Sequence, residues 1–346
     1  MSDLPLQRDA EPPRSWTLAA ERILADPGVV LVVGATDSGK TTFCKFLVRA
    51  GVGAGLRVAY VDADVGQSTV GPPGCLGWAT VSKGADLEER GLWFVGAYSP
   101  ARHLPEVVAG TQALVGRALR SGAELVVVDT TGLVQGWTGL QLKTAKAQVI
   151  RPRHLVLFTG KRELGPLPFV LSTLRGVRVH RLRIPPGVRR RSPDERRAYR
   201  AARFQEFFSR CRELTFDFPD LFLWGRSWYR PGKPLAESER VELERRLQVT
   251  LARAEKWSGL TFVVRAAHEF QQYAESAPVS RRAGVRFLPV DQWKGRLCAV
   301  EREPGDELAV GKLISVDFEG RKVRLLGKSY GKGRGRILRI GAEVPV

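Results

Sequence analysis

Residues 34–41, GATDSGKT, form a complete Gly-x-x-x-x-Gly-Lys-Thr phosphate loop directly after the apolar run VVLVV at 29–33. The glycines of such a loop let backbone N–H groups curl around an anion, the lysine reaches the β- and γ-phosphates, and the threonine hydroxyl faces Mg²⁺. The apolar run predicts a strand, and residues 40–50 predict a helix whose N-terminal dipole faces the phosphates. A chance glycine-rich turn is the alternative. The pattern predicts a nucleoside triphosphate site formed by Gly34, Ala35, Thr36, Asp37, Ser38, Gly39, Lys40, Thr41 and Thr42.

Strand and helix patterns alternate on both sides of this loop. Continuous apolar strands that are separated by helices are typical of a parallel sheet covered on both faces. The sequence therefore predicts an α/β fold of the P-loop NTPase type, with helices on both faces of a parallel sheet. The predicted strands are 29–33, 57–61, 92–95, 125–128, 154–158 and 177–184, and the predicted helices are 15–25 (capped by Ser15), 40–50, 105–121, 139–150 and 193–212.

The pattern changes beyond residue 216. A charged helix is predicted over 236–256, followed by strands near 261–264, 297–300, 311–316 and 322–326. This region predicts a smaller β-rich domain. The expected organisation is an N-terminal tail and short helix over 1–27, a P-loop domain with an arginine lid over 28–215, and a basic, β-rich C-terminal domain over 216–346.

Charge is concentrated in two segments of the chain. The 346 residues include 55 Lys and Arg against 36 Asp and Glu, a formal net charge of +19. Residues 181–215 hold 11 arginines and 4 acids, and residues 320–346 hold 8 basic residues and 1 acid. A generally basic surface would spread its charge more evenly. The concentration favours a polyanionic partner, and nucleic acid is the partner expected first.

Other classes of site and location are disfavoured. The four cysteines are far apart, with no Cys-x-x-Cys pair, and there are only four histidines, so zinc and a disulfide framework are not expected. Apolar runs fall short of the roughly 18 residues that a membrane span needs, and residues 1–15 do not resemble a signal peptide. We expect a cytoplasmic protein without a membrane partner.

Two carboxylates follow the second predicted strand. Because side chains alternate along a strand, Asp62 and Asp64 point the same way, toward the edge where Mg²⁺ and the γ-phosphate would lie. One carboxylate could serve the metal and the other an incoming hydroxyl. Alternatively, acids at a strand end only cap the next loop. Asp129 closes another apolar strand and could hold a metal-bound water.

The helix predicted after residue 193 carries arginines on one face. Arg196, Arg200 and Arg203 are spaced i, i+4 and i+7. Planar guanidinium groups stabilise the charge that phosphoryl transfer spreads over the γ-phosphoryl oxygens, once water is excluded. A solvated basic helix face is the alternative.

These motifs together resemble the polynucleotide 5′-hydroxyl kinase family, which includes the kinase subunit of the eukaryotic pre-mRNA cleavage complex, the ribosomal-RNA-processing kinases and their archaeal relatives. The resemblance covers about residues 28–215 and rests on four separated segments: the loop through Cys44, residues 64–67 with 72–74, residues 129–136, and residues 191–197. The last segment resembles the arginine lid of the family. Residues 129–136 resemble its substrate clasp, Thr-x-Gly-Trp, through Thr130 and Gly132, although Leu133 stands where the family usually has Trp and Gln135 where Lys is common.

The resemblance implies transfer of the γ-phosphate of ATP, or of another NTP, to the 5′-hydroxyl end of RNA or DNA with Mg²⁺. The implied catalytic residues are Lys40, Asp64, Arg191 and Arg196, the metal-binding residues are Thr41, Asp62 and Asp64, and the substrate-binding residues are Gln67, Thr130, Gly132, Arg197 and Arg200. Trp137 would stack on a terminal base or serve packing. RNA-processing proteins are further expected partners. The alternatives from other classes are a nucleotide-driven assembly ATPase or GTPase and an RNA-binding scaffold.

Overall fold

The computed structural model describes residues 12–160, 164–218, 222–225, 233–248, 250–251, 253–257, 260–265, 285–289, 293–317 and 320–345. Most of the predicted N-terminal tail lies outside these residues. The chain divides into two compact units, Met1–Arg203 and Phe204–Val346. Each unit is described by itself. Within the described residues, no helix is both long and apolar enough to cross a bilayer.

The first unit alternates strands and helices as the sequence predicts. Its strands are β1 (Val29–Val33), β2 (Val58–Ala63), β3 (Cys75–Val81), β4 (Leu87–Phe94), β5 (Leu125–Thr130), β6 (His154–Thr159) and β7 (Arg178–Arg183). Its helices are α1 (Arg14–Leu24), α2 (Lys40–Gly53), α3 (Leu104–Arg120), α4 (Gly136–Ile150), α5 (Leu167–Ser172) and α6 (Pro193–Phe208), whose last residues belong to the second unit.

The strands form one seven-stranded sheet in the order β4-β3-β2-β5-β1-β6-β7. The pairs among β2, β5, β1, β6 and β7 are parallel, which confirms the predicted α/β class. The sheet is mostly parallel, and at one edge β3 runs antiparallel to both β2 and β4. Helices α3, α4 and α5 cover one face and α1 and α2 the other, so all five residues of β1 are buried.

The second unit contains two sheets and one described helix. Its strands are β8 (Arg212–Asp217), β9 (Phe222–Gly225), β10 (Lys233–Pro234), β11 (Arg253–Trp257), β12 (Leu260–Arg265), β13 (Val285–Pro289), β14 (Leu297–Glu301), β15 (Glu307–Asp317), β16 (Lys322–Ser329) and β17 (Ile337–Ile340). Helix α7 spans Glu237–Leu247. The sheet orders are β8-β16-β15-β14-β17-β9 and β10-β11-β12-β13, so the predicted β-rich character is confirmed.

The six-stranded sheet must curl. Its edge strands β8 and β9 are separated by only four residues, 218–221. An extended connection of that length spans about 18 Å, whereas the edges of a flat six-stranded sheet would lie about 24 Å apart. Phe218 directly follows β8, and Leu223 lies in β9. Consistently, both belong to one buried core with residues of β14, β15 and β16.

Several predicted boundaries were wrong for local reasons. Pro13, not Ser15, occupies the N-cap of α1. The helix predicted over 193–212 ends at Phe208, because β8 begins at Arg212 and pairs with β16. The helix predicted over 236–256 ends at Leu247, because Gln248 takes a left-handed φ of 51° and 253–257 pair with β12. The structural division thus precedes β8, and the functional boundary at 215/216 stays a prediction.

Candidate active site at the phosphate loop

The carboxyl ends of β1, β2 and β5 meet at one edge of the first unit's sheet. The loop after β1 is the phosphate loop, and Asp129 of β5 lies in register with both Val32 of β1 and Asp62 of β2. Ligands bind at this edge in open α/β sheets. The topology therefore brings three separated sequence motifs, the loop, residues 62–67 and residues 129–132, to one place.

The phosphate loop is shaped to cradle an anion. Asp37 and Gly39 take left-handed conformations with φ of 55° and 90°. The side chain of Lys40 is buried, and its Nζ donates to the Ala35 carbonyl at 2.6 Å and to Ser38 Oγ at 3.5 Å. Burial lowers the pKa of Lys40, while the charges of Asp129 and Asp64 oppose this shift. The loop thus holds a positive charge where phosphates would bind.

Thr41 and Asp129 meet across the edge. Thr41 Oγ1 donates to Asp129 Oδ2 at 2.6 Å, and the Tyr60 hydroxyl donates to the same oxygen at 3.0 Å. Among the described residues, the buried Asp129 Oδ1 has no hydrogen-bond partner. Burial raises the pKa of Asp129, and the positive charge of Lys40 opposes this. A hydroxyl beside a carboxylate oxygen without a partner fits a Mg²⁺ site, because Mg²⁺ takes oxygen ligands.

Asp62 does not have the metal-ligand geometry that the sequence suggested. Its side chain is buried, Oδ1 accepts from the Asp64 amide at 3.0 Å, and Oδ2 accepts from the amides of Thr69 and Val70. Burial and the charge of Asp129 raise its pKa to about 7, against the amide bonds. Both oxygens are engaged with backbone donors, so Asp62 organises the 64–70 loop, as the capping alternative expected.

Asp64 is half-buried and follows β2 directly. Its Oδ1 accepts from the amides of Gly66 at 2.9 Å and Gln67 at 3.2 Å. These bonds fix the carboxylate at the sheet edge, on the loop that Asp62 anchors.

The predicted lid arginines lie against the phosphate loop. Asp37 Oδ2 accepts from the Arg191 amide at 3.0 Å and from Arg196 Nη2 at 2.9 Å. Arg191 Nη1 donates to Gln67 Oε1 at 3.1 Å, and its guanidinium lies 5.4 Å from the centre of the Tyr199 ring. Hydrogen bonds therefore link four residues that sequence reasoning assigned to the site, which are Asp37, Gln67, Arg191 and Arg196.

The other arginines of α6 have different surroundings. Arg203 donates to the carbonyls of Ser68 at 3.1 Å and Thr69 at 2.8 Å, so it fastens α6 to the 64–70 loop. The Arg200 guanidinium lies 5.3 Å from the Tyr98 ring centre. Arg197 is exposed. Neither Arg197 nor Arg200 contacts the phosphate loop in the bonds described, and their substrate role stays a prediction.

The two clasp residues, Thr130 and Gly132, make contacts within the first unit. Thr130 is buried, its Oγ1 donates to the Val32 carbonyl at 2.7 Å, and it accepts from Lys143 Nζ at 2.8 Å. A Cβ at Gly132 would lie 2.5 Å from both the backbone N and the Cα of Thr36. The Thr130 hydroxyl thus joins β5 to β1 in this structure, and substrate binding by Thr130 and Gly132 stays a prediction. Gly132 permits close packing of the 131–135 segment against the phosphate loop.

Trp137 stands in the first turn of α4, after this segment. Its side chain is 71% exposed and lines a cavity of about 570 Å³ with apolar residues of α3 and α4. An exposed ring agrees better with base stacking than with core packing.

Sequence reasoning missed two buried lysines of α4. Lys143 and Lys146 are fully buried, and Lys146 Nζ donates to the carbonyl of Ala63, the residue before Asp64, at 3.1 Å. Burial lowers the pKa of Lys143, and it lowers that of Lys146 to about 8 against the charges of Asp64 and Asp62. The available signal was two lysines at i and i+3 among apolar residues of a helix that faces the core.

Comparisons with known proteins give consistent results. The family model described as mRNA cleavage and polyadenylation factor CLP1 P-loop matches residues 34–210. The polyribonucleotide 5′-hydroxyl-kinase of Pyrococcus horikoshii is 30% identical over 320 residues, covering 90% of this chain and 85% of that protein. The polyribonucleotide 5′-hydroxyl-kinase Clp1 of Rattus norvegicus is 32% identical over 195 residues, covering 52% and 44%. A chain in the solved Clp1p–Pcf11p complex has a TM-score of 0.59 at 14% identity over 95% of this chain and 78% of that chain, which shows a shared fold.

Proposed function

This chain belongs to the CLP1 P-loop family, and we infer from that membership and from the site that it is a polyribonucleotide 5′-hydroxyl kinase. It binds ATP at the phosphate loop and transfers the γ-phosphate to the 5′-hydroxyl end of RNA. The observation that carries this conclusion is the contact of Asp37 with Arg191 and Arg196, which joins the lid to the phosphate loop beside Asp64. A lid of this kind excludes water, as transfer to an alcohol requires.

The phosphate loop and its neighbours bind the phosphates of ATP. The loop amides cradle the chain of phosphates, and Lys40 neutralises charge on the β- and γ-phosphates. Thr41 and Asp129 would hold Mg²⁺, which neutralises phosphate charge when bound, and the Asp129 oxygen without a partner supports this assignment. We therefore propose Asp129 for the metal role that the sequence analysis gave to Asp62 and Asp64.

Asp64 is the proposed general base. The bonds described for it use Oδ1, so Oδ2 is the oxygen that accepts the proton of the acceptor hydroxyl. The hydroxyl oxygen then forms its bond to the γ-phosphorus as the bond to the β-phosphate oxygen breaks and the nucleoside diphosphate leaves. Gln67, which bonds to Arg191, orients the acceptor end or the lid above it.

The lid arginines stabilise the transferred group. Arg196 and Arg191 are bound to Asp37 and Gln67, and both can exchange these partners for γ-phosphoryl oxygens. Charge on those oxygens grows in the transition state, so donors in a water-excluded site act there most strongly. Of the predicted substrate contacts, Arg197, Arg200 and Trp137 are proposed to meet the strand behind its 5′ end. RNA-processing protein partners and a cytoplasmic location are proposed as well.

A transfer assay tests the function. The purified chain is incubated with γ-labelled ATP, Mg²⁺ and one acceptor, which is a 5′-hydroxyl RNA, the same RNA with a 5′-phosphate, or a 5′-hydroxyl DNA. We expect label on the 5′-hydroxyl RNA, none on the 5′-phosphorylated RNA, and little release of inorganic phosphate without acceptor. Rapid release of inorganic phosphate at a rate that does not depend on the acceptor would support the assembly ATPase instead. The DNA arm measures the preference between the two nucleic acids.

A further inference from the structure

The second unit contains a groove lined by cationic side chains. A cavity of about 680 Å³ lies between residues 214–218 on one side and the loop 329–334 with Arg321 on the other. Arg321, Lys332 and Arg334 line it and are exposed, against the carboxylate of Asp217. We call this feature the basic groove. Its charge excess over the single acid favours an anionic ligand with more than one phosphate-like group.

The segment 329–336, which carries Lys332, Arg334 and Arg336, is anchored at three points. The Tyr330 amide donates to the Leu308 carbonyl at 2.8 Å, and Arg302 Nη1 donates to the Lys332 carbonyl at 3.4 Å. A Cβ at Gly335 would lie 2.8 Å from the ring of Phe218, so the loop packs tightly on the core there. The backbone that carries Lys332 and Arg334 is therefore held in place before a ligand arrives, which lowers the entropy that binding must overcome.

Exposed aromatic rings stand next to this loop. Phe222 of β9 is 45% exposed, and Trp224, two residues along the same strand and thus on the same face, is 40% exposed. The Phe222 amide donates to the carbonyl of Arg336, the last residue of the segment 329–336, at 2.9 Å. The Arg339 guanidinium lies 5.0 Å from the Trp224 ring centre and holds that side chain. Flat apolar rings beside ordered cations are the two elements of single-strand recognition.

We propose that the basic groove and the Phe222–Trp224 pair form a binding surface for single-stranded RNA. The phosphates contact Arg321, Lys332, Arg334 and Arg336, and bases stack on the exposed rings. A small free anion or an acidic peptide would bind the cations and would not need a surface for stacking bases. The exposed rings therefore favour RNA as the ligand. That this RNA is the body of the kinase acceptor rests on the proposed function, whereas the binding itself does not.

The test measures binding without chemistry. The full chain is titrated into a 3′-fluorescent RNA of about 20 nucleotides that carries a 5′-phosphate, and anisotropy is followed at several KCl concentrations. The groove variant is Lys332→Gln/Arg334→Gln/Arg336→Gln, which removes the three cationic side chains of the segment 329–336. The control, Arg245→Gln/Arg246→Gln/Lys256→Gln, removes the same charge from exposed positions of the same unit.

We expect the groove variant to bind about tenfold more weakly near 100 mM KCl, with the slope of log K against log salt reduced by about 2, since each contact with a single strand contributes about 0.7. The control should change affinity by less than about twofold. Phe222→Ser should weaken binding about fivefold without changing the slope, because stacking releases no counterions. Equal losses in the groove variant and the control, or wild-type affinity in the groove variant, would overturn the proposal. Competition by poly-glutamate as effective as competition by RNA would also overturn it in favour of an acidic protein partner.

A second readout separates this surface from the kinase. With a 5′-hydroxyl dinucleotide as acceptor, which has only one internucleotide phosphate, the groove variant should keep the wild-type kcat. With the 20-nucleotide acceptor its KM should rise about tenfold. Failure of the wild-type chain to phosphorylate either acceptor would refute the proposed function and leave the binding result to decide the groove alone.

Discussion

Gly132 lies against the backbone of the phosphate loop, where a Cβ would come within 2.5 Å of Thr36 N and Cα. Because the obstacle is backbone, Gly132→Ala must displace the loop. We expect the variant to bind a non-hydrolysable ATP analogue at least about tenfold more weakly by calorimetry, since displaced amides no longer converge on the phosphates. The matched control is Gly53→Ala, whose Cβ meets no atom within 4 Å. Equal ATP affinity in the two variants would show that the Gly132 contact does not shape the site.

Neither the composition nor a motif of the sequence indicated a role for Lys146 in the site. Its buried Nζ bonds to the carbonyl before Asp64, and its charge faces Asp64 and Asp62. We infer that it positions the proposed base. Lys146→Met should lower kcat at least about tenfold through displacement of Asp64. The melting temperature should not fall in parallel, because an apolar residue of similar volume replaces a buried charge at little or no cost.

Two further measurements separate positioning from general damage. KM for ATP should stay near the wild-type value in Lys146→Met, since Lys40 and the loop amides are unchanged. Lys146→Gln, which keeps a donor for the Ala63 carbonyl, should recover part of kcat. A loss of stability that accounts for the loss of activity, with no difference between Met and Gln, would contradict the positioning role.

At the scale of elements, β6 and β7 are joined by a buried histidine pair. His154 Nε2–H donates to the Asp26 carbonyl at 2.8 Å, which leaves Nδ1 to accept from His180 Nε2–H at 3.0 Å. Burial and the neighbouring His154, Arg22 and Arg178 lower the pKa of His180 to about 4, and burial also lowers that of His154. The folded chain therefore keeps both rings neutral at pH values where the unfolded chain binds protons.

The sign of the pH dependence follows. Between about pH 6.5 and pH 4 the unfolded state binds more protons, so the free energy of unfolding falls as the pH falls. For His180 the loss from pH 7 to pH 5 is about 2 kcal/mol. In His180→Gln, which keeps a donor for His154, urea unfolding followed by tryptophan fluorescence should show a decrease smaller by about that amount. The same decrease in variant and wild type would contradict the assignment.

The elements predicted best are those whose sequence and environment agree. Strands β1, β5 and β6 are buried on both faces, so they read as continuous apolar runs. The antiparallel β3–β4 hairpin was missed in part because residues 87–90 of β4 are only half-buried or exposed and include Glu88 and Glu89. Helix α7 was extended too far because residues 253–257 are as charged as the helix, and only pairing with β12 makes them a strand.

Prediction of the site from the sequence has a similar limit. Motif spacing predicted that the phosphate loop, Asp64, Gln67, Arg191 and Arg196 would converge, and they do lie together. The same spacing could not distinguish Asp62 from Asp129 as the metal carboxylate, because both close parallel strands at one edge. The hydrogen bonds are what favour Asp129 in our proposal, because amides occupy Asp62, whereas Asp129 has a hydroxyl beside an oxygen that has no partner among the described residues.

At the scale of the whole molecule, two segments contribute most of the net charge of +19, with +7 from residues 181–215 and +7 from residues 320–346. In the first of these segments, Arg191, Arg196 and Arg203 contact Asp37, Gln67 and the 64–70 loop of the first unit. The basic run after residue 320 forms an anchored groove in the second unit. As proposed, the first set acts on the reacting phosphate and the second on the strand that carries the acceptor hydroxyl.

The most direct test of this account is single-turnover transfer of labelled γ-phosphate to a 5′-hydroxyl RNA by the wild-type chain, Lys40→Ala, Asp64→Asn and the Gly53→Ala control. The account predicts transfer by wild type and Gly53→Ala, and a loss of at least about a hundredfold in Lys40→Ala and Asp64→Asn, with Asp64→Asn still binding ATP because it lacks only the base. Transfer by Asp64→Asn at the wild-type rate would contradict it, as would wild-type label that appears in inorganic phosphate rather than at the RNA 5′ end.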